Sequence, residues 1–241
     1  MEEIFKNDNL KIIIERKNQV KIEFTRTSYP IIHSLLKSRI IPGASSDTEF
    51  KLLTFSANTV KTLNQYLKES RFDEHFSQIQ IVSNLIKLLS KQLHYLMEYT
   101  SHTILGYNPS HIIIINDSIP VYIDTEFVIE MESTSFTTIS YPFSTNDFFV
   151  SPELLNIWEI PSQVNYKTTY FSLACLAIYI LLDCSAEFYN EYIKQYQNQQ
   201  KYSPNSILQY LDNHPIKETK IYWLLSRCLV EQPESRVILF I

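Results

Sequence analysis

Residues 104–127 read ILGYNPSHIIIINDSIPVYIDTEF. Two apolar runs, HIIII and PVYID, flank an Asn-Asp-Ser turn. Ile, Val and Tyr suit the pleated, half-buried surface of a strand, and Asn and Asp tolerate the left-handed backbone of a tight turn. The segment therefore predicts a β-hairpin whose second strand ends on Asp124. The loop ahead of the hairpin carries Gly106 and Pro109.

Upstream, residues from Phe76 to about Tyr99 place Val82, Leu85, Ile86, Leu89, Leu93, Leu96 and Met97 at helical spacing, which predicts one long helix. Before it, LKIIIERKNQVKIEFT (10–25) predicts a hairpin. Ile31, Ile32, Leu35 and Leu36 predict a short helix, IPGASSD a loop, EFKLLTF a strand and TVKTLNQYLKE a short amphipathic helix. Downstream, residues 128–150 read as a long exposed loop with a Ser/Thr-rich run at 133–140. SPELLNIW predicts a helix opened by proline, PSQVNYK a connector, and YFSLACLAIYILL a buried helix. Residues 186–200 read as helical, SPNS as a break and SILQYLDN as helix again. ETKIYWLLSRCLVEQ predicts an amphipathic helix before PESR and a terminal VILFI. The expected class is α+β, with a β-rich part over 1–57 and a mainly helical part over 58–241.

The 241 residues are 45% hydrophobic and 20% charged, the composition of a globular chain. A net charge of -5, with no basic cluster, argues against a nucleic-acid partner. The 3 Cys are odd in number and show no CxxC spacing, so they read as small core residues in a reducing compartment. The 6 His form no HExxH pair, and no metal site is inferred from them. MEEIFKNDNL lacks an apolar signal region, and the longest apolar run is too short to span a membrane. The expectation is a soluble, intracellular protein. Glycine occurs only 2 times, which leaves almost no material for a glycine-rich phosphate cradle. The surplus of Ile, Asn, Lys and Tyr suggests AT-rich coding.

A small strand-rich region with one helix, then a long helix, then a hairpin, is similar in order to the protein kinases. The resemblance runs from about residue 50 to the end and covers the earlier part more loosely. Against the family's H-R-D-x-x-x-x-N and D-F-G elements, Gly106 stands at the catalytic Asp, Asn108 at the loop Lys and His111 at the metal-binding Asn. Asp124 stands at the metal-binding Asp, with Thr125 and Glu126 in place of Phe and Gly. VSPELL (150–155) resembles the end of the activation segment. FSLACLAIYIL (171–181) resembles the buried central helix, with Thr169 where an Asp is usual. RCLVEQPESR (227–236) resembles the closing element. The resemblance implies a buried ion pair between Glu153 and Arg236. VKIE (20–23) puts Glu23 at the position of the nucleotide-binding Lys, with Lys21 or Lys51 as substitutes. The wording of the second half resembles the divergent kinase-like proteins of large nucleocytoplasmic DNA viruses.

That resemblance implies a catalytically impaired, kinase-like protein with no cofactor, acting on a protein partner and on neither nucleic acid nor membrane. Two alternatives stay open: a divergent active serine/threonine kinase using ATP and Mg²⁺ held through Asp124, and a structural virion component. The implied location is the host cytoplasm or viral factory, with the virion left open. Plainer readings stand beside these. Asp124 can be a turn residue, Asp124 and Glu126 face opposite ways on an extended chain, and His111 can be a packed side chain. The Ser/Thr run can be a solvated loop, and Tyr222 and Trp223 can be core or interface anchors.

Overall fold

The computed structural model describes residues 2–15, 18–69, 75–139, 149–197 and 204–238. The chain is mixed α+β with antiparallel sheets. It forms two compact units. One comprises Met1–Arg71, Lys87–Thr103 and Pro109–Glu130, and the other Phe72–Ile86, Ile104–Asn108 and Met131–Ile241.

The first unit opens with strands β1 (Glu2–Lys6), β2 (Leu10–Ile14) and β3 (Gln19–Phe24), helix α1 (Tyr29–Ser38), then β4 (Ser45–Asp47) and β5 (Leu52–Ser56). The strands make one sheet in the order β1-β2-β3-β5-β4. Alternation along β3 buries Val20, Ile22 and Phe24 and leaves Gln19 and Glu23 exposed. α1 starts with a proline in its first turn and buries Ile31, Ile32 and Leu35.

Two expectations around β4 and β5 are corrected. IPGASSD is not wholly a loop, because Ser45–Asp47 pairs with β5 as an edge strand. EFKLLTF is a strand only from Leu52. The Asp47 carboxylate accepts from the N–H groups of Glu49 and Phe50 at 3.0 and 3.1 Å, which folds Glu49–Lys51 into the turn and leaves Phe50 exposed.

The chain continues through β6 (Val60–Thr62), α2 (Leu63–Glu69), α3 (His75–Thr100), β7 (His102–Ile104), β8 (Ile112–Ile115), β9 (Ile119–Tyr122) and β10 (Val128–Glu130). β6, β8 and β9 form a three-stranded sheet, and β7 pairs with β10. The hairpin turn has Asn116 at φ 50° and Asp117 at φ 55°, with the Ser118 N–H on the Ile115 carbonyl at 3.2 Å. Consecutive positive φ at Asn116 and Asp117 makes the tight turn that Asn and Asp favour, and strand pairing resumes with Ile115 opposite Ile119. TVKTLNQYLKE is not helical throughout. Val60–Thr62 pairs with β8, and the helix begins at Leu63. The Thr62 N–H donates to the Gln65 side chain at 3.0 Å, and the Gln65 N–H donates to the Thr62 hydroxyl at 3.2 Å, a reciprocal cap.

The second unit holds β11 (Ser135–Thr138), α4 (Pro152–Leu155), β12 (Ser162–Asn165), α5 (Thr168–Leu181), α6 (Ala186–Gln197), α7 (Pro204–Leu208) and α8 (Lys220–Cys228). The expected 128–150 loop is corrected by β10 and β11, while residues 140–148 lie outside the described residues. The PSQVNYK connector is corrected by β12, which pairs with β11. The break expected at SPNS includes Pro204, which instead opens α7. α5 buries all but two of its 14 residues, and this explains its lack of an amphipathic stripe. Cys175 and Cys228 are buried free thiols, and Cys184 is half-buried. Trp223 is exposed on α8 and so is not a core residue. Among the described residues, no helix is long and apolar enough to cross a membrane.

Candidate functional site

Asp124 lies two residues beyond β9 and is 2% exposed. Its neighbours are set by backbone pairing. The Ile123 N–H donates to the His111 carbonyl at 3.0 Å, which brings the His111 side chain beside Asp124. His111 Nδ1 lies 2.7 Å from Asp124 Oδ2, and its ring stacks on Phe127 at 6.0 Å between centroids. The other carboxylate oxygen, Oδ1, accepts from Asn7 Nδ2 at 2.8 Å and from the Thr125 N–H at 2.7 Å. Burial pushes the Asp124 carboxyl upward, but His111 and the Thr125 and Glu126 N–H groups outweigh it, so the group sits below its ordinary value. Oδ1 is therefore engaged by two protein donors, and Oδ2 lies against the His111 ring. Glu126 is exposed and does not converge on Asp124.

Asn7 belongs to the β1–β2 turn. Its side-chain oxygen accepts from the N–H groups of Asn9 and Leu10 at 2.9 and 2.8 Å. Asn9 Nδ2 in turn donates to the Thr125 hydroxyl at 3.1 Å. The first hairpin's turn is thus bonded directly to Asp124-Thr125. From the other direction, buried Gln92 of α3 reads the Tyr122 backbone like a neighbouring strand. Its Nε2 donates to the Tyr122 carbonyl and its Oε1 accepts from the Tyr122 N–H, both at 2.8 Å. Sequence reasoning missed Asn7, Asn9 and Gln92. The Asn-Asp-Asn triplet at 7–9 is a readable turn signal, but its long-range partners, more than a hundred residues away, have no local trace.

The three candidate lysine positions are elsewhere engaged or exposed. Lys21 pairs with Glu15 at 2.7 Å, Glu23 is exposed, and Lys51 sits in the β4–β5 turn at φ 51°. Among the described residues, no group of three or more His, Cys, Asp or Glu side chains is placed to hold a metal ion.

Gly106 and Asn108 belong to the second unit, and His111 and Asp124 to the first. Gly106 is buried, and Asn108 is half-buried. The loop around them is held by α5. The Thr169 hydroxyl donates to the Ile104 carbonyl, and the Ser172 hydroxyl accepts from the Tyr107 N–H at 2.8 Å. Gly106 itself brings no side chain that can take a proton.

Glu153 and Arg236 meet in the second unit as a bidentate pair. Arg236 Nη1 donates to Glu153 Oε1, and Nη2 donates to Oε2 at 2.9 Å. Arg236 is 0% exposed. Its remaining donors reach backbone, Nε to the Val230 carbonyl at 2.8 Å and Nη2 to Glu231 at 3.4 Å. The guanidinium also lies 5.1 Å from the Phe171 ring centroid. This is a satisfied structural ion pair that ties α4 to the segment after α8. No family model matches the chain, and no curated protein matches it.

Proposed function

We propose that the chain is a catalytically impaired, kinase-like protein, of the kind carried by large nucleocytoplasmic DNA viruses, and that it works by binding another protein. The bonding of Asp124 carries this reading. A kinase uses an Asp at this position and a loop Asn to hold Mg²⁺, beneath a glycine-rich turn that covers the phosphates. Mg²⁺ demands near-octahedral oxygen ligation and retains water. Here one carboxylate is available, and its oxygens face His111, Asn7 and the Thr125 N–H. The turn of the first hairpin bonds directly to Asp124-Thr125, at 2.8 and 3.1 Å, which closes the space between them. The residues present do not fit a Mg²⁺–nucleotide complex. Gly106 removes a base that is worth about 10²–10⁴ in rate.

The Glu153–Arg236 pair and the Thr169 and Ser172 anchors support the same reading, since they retain the scaffold around a loop without catalytic side chains. The test is thermal melting of the purified chain with ATP and Mg²⁺ or Mn²⁺, beside transfer of labelled phosphate to casein-type substrates. No rise in melting temperature and background transfer are expected. Turnover that disappears in Asp124→Asn would establish a divergent serine/threonine kinase instead.

A further inference from the structure

A groove of about 540 Å³ lies within the second unit, between the end of α4, β12 and the Pro233–Glu234 turn. That volume is in the range of sites that take a side chain or small ligand, roughly 300–1,000 Å³. Three features define what it would accept.

The first is charge. Glu153, Glu159 and Glu234 line the groove, and no Lys or Arg does. Arg236 neutralises Glu153. Lys167, outside the lining, commits its ammonium to the Glu234 carbonyl at 2.7 Å. Glu159 and Glu234, both exposed, make the lining itself acidic, with the Lys167 ammonium as one positive charge at the Glu234 end. The second is Trp158, a lining residue that is 73% exposed and presents indole surface to solvent.

The third is an open strand edge. Among the described residues β12 has β11 as its one neighbour. The ladder pairs Phe136 with Val164 and Thr138 with Ser162, and the Tyr166 N–H donates to the Thr134 carbonyl at 3.1 Å. Residues 162, 164 and 166 therefore bond toward β11. Antiparallel alternation turns the backbone N–H and C=O groups of Gln163 and Asn165 the other way. Both residues also line the groove.

We infer that this groove binds an extended, arginine-bearing segment of a partner protein, which adds to β12 as a third strand and sets its guanidinium against Trp158, Glu159 and Glu234. Main-chain bonds to the free edge supply affinity, and the side chain supplies specificity. The indole face and the two carboxylates both favour a planar cation. The inference deepens the partner-binding reading and rests on it for its biological purpose.

The test uses the full chain carrying Trp223→Phe, so that Trp158 is the only tryptophan. The probe is a short peptide alternating Val and Thr around a central Arg. Saturable quenching of Trp158 fluorescence is expected. Replacing the Arg by citrulline, N-methylating the peptide backbone, or substituting Glu159→Gln with Glu234→Gln should each weaken binding about tenfold or more. Equal affinity for the citrulline peptide, no effect of the double substitution, or no saturable binding would each overturn the inference. So would competition by free argininamide at the peptide's own concentration, because that marks a small-cation site without strand addition. Phosphotransfer is measured on the same preparation. Turnover there sinks the impaired-kinase reading and leaves the peptide result standing, whereas absent peptide binding in an inert chain sinks the groove alone.

Discussion

Arg236 and Asp124 are two buried charges with different consequences. Among the described residues Arg236 is one of the largest fully buried side chains, and its guanidinium is matched by Glu153, backbone carbonyls and an aromatic ring. Arg236→Ala strands the Glu153 carboxylate. It should lower unfolding free energy by about 3–5 kcal/mol, measured by urea titration, well beyond a surface change of about 0.5 kcal/mol. A loss of surface size would detach α4 from this pair. Asp124 is a question of pH. Its folded carboxyl is held below the ordinary value, so its contribution to stability is present above the unfolded value and is lost as pH falls through the folded one. The urea midpoint of the wild type should therefore drop on the acid side of about pH 4, and Asp124→Asn should flatten that drop. Parallel acid limbs would show that Asp124 is not differentially bonded. The two residues were unequally legible. Glu153 and Arg236 lie in short segments, VSPELL and RCLVEQPESR, whose resemblance to kinase elements implied the pair. The Asn7, His111 and Gln92 contacts around Asp124 depend on which strands pair, and no local pattern encodes them.

The elements show how a chain nearly without glycine turns corners. Among the described residues, ten non-glycine residues adopt positive φ: Asn18, Arg39, Lys51, Ser101, Asn116, Asp117, Ser133, Asp183, Cys184 and Glu218. Asn and Asp accept this conformation with little strain, whereas Arg39, the left-handed C-cap of α1, has a Cβ that crowds its own carbonyl. Arg39→Gly should stabilise the chain by about 0.5–1 kcal/mol, the relief of left-handed strain less the extra backbone freedom gained by the unfolded state. An unchanged or lowered melting temperature would mean that the Arg39 side chain contributes more than the strain removes. Element length and position explain which elements the sequence concealed. The long helix α3 was readable from its apolar period, and the hairpin from the unbroken apolar run of β8, all four residues buried, beside an Asn-Asp turn. β4, β10 and β12 have three or four residues each and lie in two-stranded sheets or at an edge. Such strands need only backbone partners, so they carry no alternation. Thr62 and Gln65 did spell a capping box, but the apolar spacing from Val60 onward masked the start of α2.

At the scale of the whole molecule, the α+β class was legible, because a strand-rich opening and later helical periods are properties of long segments. The two compact units were less so, since the first gathers three separate stretches of chain and the second gathers another three. The kinase-like reading makes its sharpest claim at this scale. If only the chemistry has been removed, restoring loop side chains should revive it. If the nucleotide site has been lost as well, restoration should fail. Gly106→Asp with His111→Asn returns a base and an oxygen ligand. It also removes the imidazole from Asp124 Oδ2. It leaves Oδ1 bonded to Asn7 and the Thr125 N–H, and it leaves the first hairpin's turn fastened to Thr125 through Asn9. It supplies no glycine-rich cradle, because the chain has only 2 glycines and Gly43 is one of them. Phosphoryl transfer depends mainly on positioning and charge stabilisation, so a base without a held γ-phosphate has nothing to act on. The double variant is therefore expected to stay at background in labelled-phosphate transfer and to show no ATP-dependent rise in melting temperature. His111→Asn alone, tested in parallel, guards against misfolding caused by a carboxylate at buried position 106. Transfer clearly above wild type in the double variant, or an ATP-dependent rise in either, would mean that the nucleotide site already exists. The chain would then be a nucleotide-binding protein deprived only of its base, and the Asn7–Asp124 bond would have to open when nucleotide enters.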